Sequence, residues 1–101
     1  MKQTIKIYTN TADPNLLREI CFGIEEESVN YEISESQASA LAFEAAKASA
    51  LGVGIGIKNR LAAIHVLPMA QGNLLFNASE KNGRILGQNA ARFVKKKSFK
   101  L

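Results

Sequence analysis

Tryptophan is absent from these 101 residues, and cysteine and histidine occur once each. A single cysteine, Cys21, excludes an internal disulfide and any multi-cysteine metal centre. Set among Leu and Ile at helical spacing, it reads as a small core hydrophobe rather than a reactive thiol. The lone histidine, His65, stands between Ile64 and Val66 with no serine, cysteine or carboxylate beside it, which argues for a structural group over a catalytic one. Long apolar runs are also missing: the nearest to one, "ALGVGIGI" at 50–57, is far short of the roughly 18 residues a membrane span needs. The first ten residues, "MKQTIKIYTN", lack the apolar stretch and small-residue cleavage site of a secretory signal, so a cytoplasmic protein is expected.

What is present fits one globular domain over residues 1–101. The hydrophobic fraction of 47% and charged fraction of 22% favour neither disorder nor a coiled coil. With few aromatics the core must be aliphatic. The net charge of +4 is a matter of placement, because Lys95, Lys96, Lys97 and Lys100 crowd the last seven residues and the rest is about neutral. A solvated basic terminus is the expectation. A nucleic-acid surface is the competing one, although no aromatic ladder or zinc-finger spacing accompanies the lysines.

Helical and strand periods alternate at short intervals, which points to an α/β fold with a mixed, mostly parallel sheet of about five strands and three helices. "TIKIYT" (4–9) alternates polar and apolar residues as a strand does. Asp13 can cap the helix that follows, and Pro14 suits its first turn, where no amide donor is needed. That helix is expected over 14–27. A short strand over 29–34 and an alanine-rich helix over 36–51 come next. "GVGIGIK" (52–58) places Val53, Ile55 and Ile57 on one face and glycines on the other. It lacks the GxGxxG spacing and the Lys-Ser/Thr pair of phosphate loops, so close backbone packing accounts for the glycines. A turn near Asn59 leads to a strand over 61–67, then a fifth over 73–78. The last helix, 83–96, is expected to bury Ile85, Leu86, Ala90, Phe93 and Val94.

The first helix carries the main functional signal. At about 100° per residue, Leu16, Leu17, Ile20, Cys21 and Ile24 make an apolar stripe, and Phe22 points away from it between Arg18, Glu19 and Glu26. Glu27 swings back toward the stripe. An exposed phenylalanine on a charged face reads either as an ordinary surface residue or as an interface anchor beside a carboxylate that meets a cation or a metal. The carboxylates follow no metal-loop spacing, and no catalytic constellation emerges, so an autonomous enzyme is not expected.

Several pieces, taken in order, resemble the small subunit of the diol and glycerol dehydratase reactivases. They are "GIEEES" before a short strand, "ASALGVGIGI", the His65, Leu67 and Pro68 set, "LLF" at 74–76, and "LGQNAARFVK" at 86–95. The resemblance implies a non-catalytic, chaperone-like subunit with an anticodon-binding-domain-like fold. Its large partner subunit would bind ATP or ADP and hydrolyse ATP. By subunit exchange the complex would release damaged cobalamin from inactivated adenosylcobalamin-dependent dehydratase.

It further implies that Glu26 reaches a Mg²⁺ at the interface with the large subunit, within a partner-binding face of Arg18, Glu19, Phe22, Glu25 and Glu26. Dehydratase subunits would be transient partners, and association with a bacterial microcompartment is left open. Relatives usually place Gly after the glutamates and Pro two residues later; here these are Ser28 and Asn30. Ser in a left-handed helix end costs about 1 kcal/mol relative to Gly, so the helix end is expected to be rotated or longer by a residue. Two alternatives stand beside this reading: a medium-subunit-like structural part of a B12-dependent dehydratase, and a nucleic-acid module using the lysine tail.

Overall fold

A computed structural model describes residues 3–67, 76–79 and 82–99, with side chains described outside 76–79 and 96–99. The chain runs β1 (Ile5–Asn10), α1 (Pro14–Glu26), β2 (Tyr31–Glu35), α2 (Leu41–Ala48), β3 (Val53–Lys58), β4 (Leu61–Val66), β5 (Phe76–Ser79) and α3 (Gly83–Phe99). The strands form one sheet in the order β2-β1-β3-β4-β5. β1 pairs parallel with both β2 and β3, and β4 pairs antiparallel with β3 and β5. The helical crossovers 14–26 and 41–48 supply the length that parallel neighbours require.

β3 shows how the alternation of the sequence becomes a three-layer fold. Val53, Ile55 and Ile57 are fully buried in one core with Ile5, Ile7 and Ile64 of the sheet and Leu16, Ile20, Ile24, Leu86 and Ala90 of α1 and α3. Gly54 and Gly56 face the other way, where a Cβ at Gly54 would collide with the α2 backbone at Ala45 and Ala46, and one at Gly56 with Leu41 and Ala42. The glycines therefore let an alanine-rich helix lie almost on the sheet, as expected from the sequence. His65 lies on this same face, fully buried, with its ring 5.1 Å from Phe43 in an edge-on arrangement.

Several expected limits shift: β2 lies at Tyr31–Glu35 rather than 29–34, α3 runs to Phe99 rather than 96, and the second helix shortens for an identifiable reason. The helix expected over 36–51 forms only at 41–48: the Ser36 amide extends the β2 ladder by donating to the Thr9 carbonyl (2.9 Å), and the Ser36 hydroxyl accepts from the Ala38 amide. Such local side-chain bonds compete with helix formation. At the other end Ser49 adopts an extended conformation and its hydroxyl donates to the Thr4 carbonyl at 2.7 Å. The fifth strand is seen at 76–79, one residue past the expected end at 78; its expected first residues 73–75, which include both leucines of "LLF", and Pro68 lie outside the described residues.

α1 begins as expected. The Asp13 carboxylate accepts from the Leu16 amide at 3.0 Å, and Pro14 follows in the first turn. The Asp13 amide in turn donates to the Asn59 carbonyl at 2.7 Å, which fixes the helix start against the β3–β4 turn, where Asn59 has φ 55°. At its other end α1 closes one residue short of the expected 14–27. It stops at Glu26, Ser28 takes φ 62°, the Ser28 amide donates to the Glu25 carbonyl and the Val29 amide to that of Ile24. These are the paired bonds of a Schellman closure, formed here with serine where glycine is usual.

Candidate functional site

The outer surface of the helical layer is set by how closely α1 and α3 approach. Gly23 and Gly87 are both buried at the crossing. A Cβ on Gly23 would clash with the Arg84 carbonyl oxygen and stand 2.8 Å from the Gln88 amide nitrogen, while one on Gly87 would clash with the Ile20 carbonyl oxygen. With no side chain between them, the two backbones touch. Glu19 and Glu26, one turn to either side of Gly23 on α1, and Arg84 and Gln88, one turn before and directly after Gly87 on α3, are thereby brought within hydrogen-bonding range.

Arg84 is the hub of that contact. Its Nε lies 3.1 Å from one Glu19 oxygen and its Nη2 donates to the other at 3.2 Å, a two-pronged arrangement suited to a guanidinium. Its Nη1 is 3.9 Å from Glu26 Oε2, and its guanidinium carbon stands 5.5 Å over the Phe22 ring. Gln88 Nε2 donates to Glu26 Oε1 at 2.8 Å. Phe22 keeps 40% of its surface exposed. The carboxylates and the arginine are themselves well exposed, so each ion pair stabilises the fold by no more than about 1 kcal/mol. Such a network does more to hold directions than to hold the fold.

The three glutamates of "EEE" therefore meet three different surroundings. The Tyr31 hydroxyl donates to Glu25 at 2.5 Å, which ties the end of α1 to the edge strand. That bond is the main reason the Tyr31 hydroxyl is held far above its ordinary pKa. Glu26 meets Gln88 and Arg84. Glu27 lies between Lys95 and Arg92, each at 3.2 Å, and the hydrogen bond from Lys95, followed by Arg92, holds its carboxyl below the ordinary range. Lys95 is thus engaged in the fold rather than only solvated. Burial pushes the Cys21 thiol up, against a hydrogen bond with Tyr31 that pulls it down, so the neutral thiol behaves as core.

Of the residues expected to form a partner-binding face, the structure gathers Glu19, Phe22 and Glu26 around Arg84. Arg18 is exposed on α1, and Glu25 turns to Tyr31. Arg84, Gln88 and Tyr31 were not among the expected site residues. Gln88 is 62 positions from Glu26, and only the facing glycines hint that the two helices touch. Ile85, expected in the core, is 56% exposed on the outer side of α3, while Gly83, Gly87 and Ala91 are buried in its place. Leu86, Ala90 and Val94 are buried as expected and Phe93 partly so, and close approach of the helices adds the small residues to that interior face.

As a metal donor, Glu26 suits a single role. Mg²⁺ takes six oxygens in an octahedron and commonly accepts one or two carboxylates with phosphates and waters. Glu26 offers one exposed carboxylate whose Oε1 is held by a neutral amide. Among the described residues no group of three or more His, Cys, Asp or Glu is placed to hold a metal ion. The donor set fits one ligand of a shared site and does not make a site by itself.

Solved structures share this fold. A diol dehydratase-reactivating factor complexed with ADP and Mg²⁺ superposes with a TM-score of 0.86 at 29% identity over 95% of both chains. A glycerol dehydratase reactivase superposes with a TM-score of 0.85 at 24% identity over 94% of both, which speaks for the fold. No curated protein sequence matches the chain. No described helix is long and apolar enough to cross a membrane. The family model described as dehydratase medium subunit matches residues 3–100, and the chain belongs to that family.

Proposed function

We propose that this chain is the small, non-catalytic subunit of a dehydratase reactivase. It binds a large ATPase subunit through the outer face of α1 and α3, and the complex releases damaged cobalamin from an inactivated adenosylcobalamin-dependent diol or glycerol dehydratase by subunit exchange. The observation that carries this reading is the likeness, over nearly the whole of both chains, to a reactivating factor complexed with ADP and Mg²⁺. Arg18, Glu19, Phe22, Glu25 and Glu26 form the partner face. Glu26 supplies one oxygen to a Mg²⁺ whose other ligands come from the partner's nucleotide site and from water. Such a metal would offset carboxylate and phosphate charge across the interface, coupling subunit association to the nucleotide state.

The family match favours a second reading, a medium-subunit-like part of a B12-dependent dehydratase. A pull-down from the native cell with and without ADP and Mg²⁺ separates the two. Recovery of an ATPase subunit whose association weakens in Glu26→Gln supports the reactivase. Recovery of only a B12 enzyme's catalytic subunit, with Glu26→Gln indistinguishable from the native chain, overturns it in favour of the alternative.

A further inference from the structure

Glu26 and Glu27 are neighbours in sequence, yet α3 treats them in opposite ways. Glu27 is held by two cations, Arg92 and Lys95. Glu26 is held by an amide: Gln88 Nε2 donates to its Oε1 at 2.8 Å. A carboxylate can only accept, so the geometry assigns the nitrogen of Gln88 to this contact. The nearest cation, Arg84, puts its two close nitrogens on Glu19, at 3.1 and 3.2 Å, and approaches Glu26 Oε2 only to 3.9 Å. Glu26 is therefore oriented at Oε1 by a neutral group, and its Oε2 has only the longer 3.9 Å contact with Arg84.

The position of Gln88 is itself fixed. Its backbone nitrogen packs against Gly23, one helical turn before Glu26 on α1, where even a methyl group would not fit. The amide is thus delivered to Glu26 by a backbone contact that cannot slide without moving a whole helix.

We propose that Gln88 is a positioning residue for Glu26, a neutral holder of Oε1 that adds no positive charge and presents Oε2 to a cation carried by the partner. The inference rests on the reading of Glu26 as an interface ligand and deepens it. Outer-shell partners of metal ligands change metal affinity about 10- to 100-fold when removed. Gln88→Ala should therefore raise the Mg²⁺ concentration for half-maximal association with the large subunit, in saturating ADP, by about tenfold or more. Gln88→Lys should do worse than Gln88→Ala, because its ammonium neutralises Glu26 as well as releasing the amide.

Two measurements keep the outcomes distinct. On the isolated chain, the side-chain amide resonances of Gln88 should shift in Glu26→Gln; no shift would mean that the contact does not form in solution and would overturn the proposal without reference to any partner. In the complex, Glu26→Gln serves as the benchmark. If it abolishes Mg²⁺-dependent association while both Gln88 variants keep the native midpoint, or if Gln88→Lys is no worse than Gln88→Ala, the positioning role is wrong and the ligand assignment stands. If Glu26→Gln leaves association unchanged, the ligand assignment itself fails. Thermal melting of each variant separates a shifted midpoint from a damaged fold.

Discussion

Adding one methyl group at the α1–α3 crossing should move two helices. In Gly23→Ala the new Cβ would overlap the Arg84 carbonyl oxygen and stand 2.8 Å from the Gln88 amide nitrogen. Both are backbone atoms, which cannot rotate away, so the strain lies at the upper end of the overpacking range, about 3 kcal/mol. Alanine recovers about 1 kcal/mol over glycine in a helix interior. The net loss is about 2 kcal/mol, a fall in melting temperature of roughly 8–16 °C for a domain of this size.

Gly87→Ala meets the Ile20 carbonyl oxygen at the same crossing and should lose a similar amount. The two changes are relieved by one and the same separation of the helices, so they must couple. Once α3 has moved away, the second alanine adds its helix propensity with little further strain. The double variant should then lose no more than either single one, where independent effects would sum to about 4 kcal/mol. Denaturant unfolding of the four proteins measures the cycle. Additive losses, or single variants as stable as the native chain, would refute the claim that a shared backbone contact sets the spacing.

Two further changes test the end of α1. Ser28→Gly keeps the Schellman closure and relieves a non-glycine residue at φ 62°, so it should raise stability by about 1 kcal/mol; a melting temperature at or below the native one would contradict the assigned helix end. The depressed pKa of Glu27 contributes stability that is fully present above the ordinary carboxylate value of 4.5 and is lost as pH falls through the lower folded value. Glu27→Gln should accordingly melt below the native chain at neutral pH, with the gap closing as pH drops well below 4.5; a gap that persists or widens in acid would show that Lys95 and Arg92 do not stabilise the ionised form.

Much of the fold was legible where one residue type decides one local outcome. Asp13-Pro14 marked a helix start because a carboxylate satisfies a free amide and proline needs none, and the structure shows both. The alternation in "GVGIGIK" gave a strand with an aliphatic face and a bare one, and the bare face meets an alanine-rich helix. The helical wheel of α1 set Phe22 outward and Glu27 toward the interior edge, as observed. Legibility failed where burial follows from backbone approach. A wheel that scores hydrophobicity turns Ile85 inward and ignores Gly87, while in the structure Gly87 is buried and Ile85 exposed. Serines at the ends of α2 also shortened it through bonds to Thr4 and to nearby amides that composition does not reveal.

The same failure hid half of the candidate site. Phe22, Glu19 and Glu26 stand on one helix and could be read from its period, but the groups that orient them, Arg84 and Gln88, come from a helix more than sixty residues away. A 100° step per residue explains why three consecutive glutamates cannot share one role. Glu25 faces the edge strand and meets a tyrosine, Glu27 faces the end of α3 and meets two cations, and Glu26 between them meets a neutral amide. Glu25 is turned to the edge strand, away from α3, and Glu27 is paired with two cations. If an interface on the α1–α3 face needs one carboxylate fixed by a neutral donor, Glu26 is the position the two-helix geometry leaves for it, and Gly23 is what keeps that geometry in place.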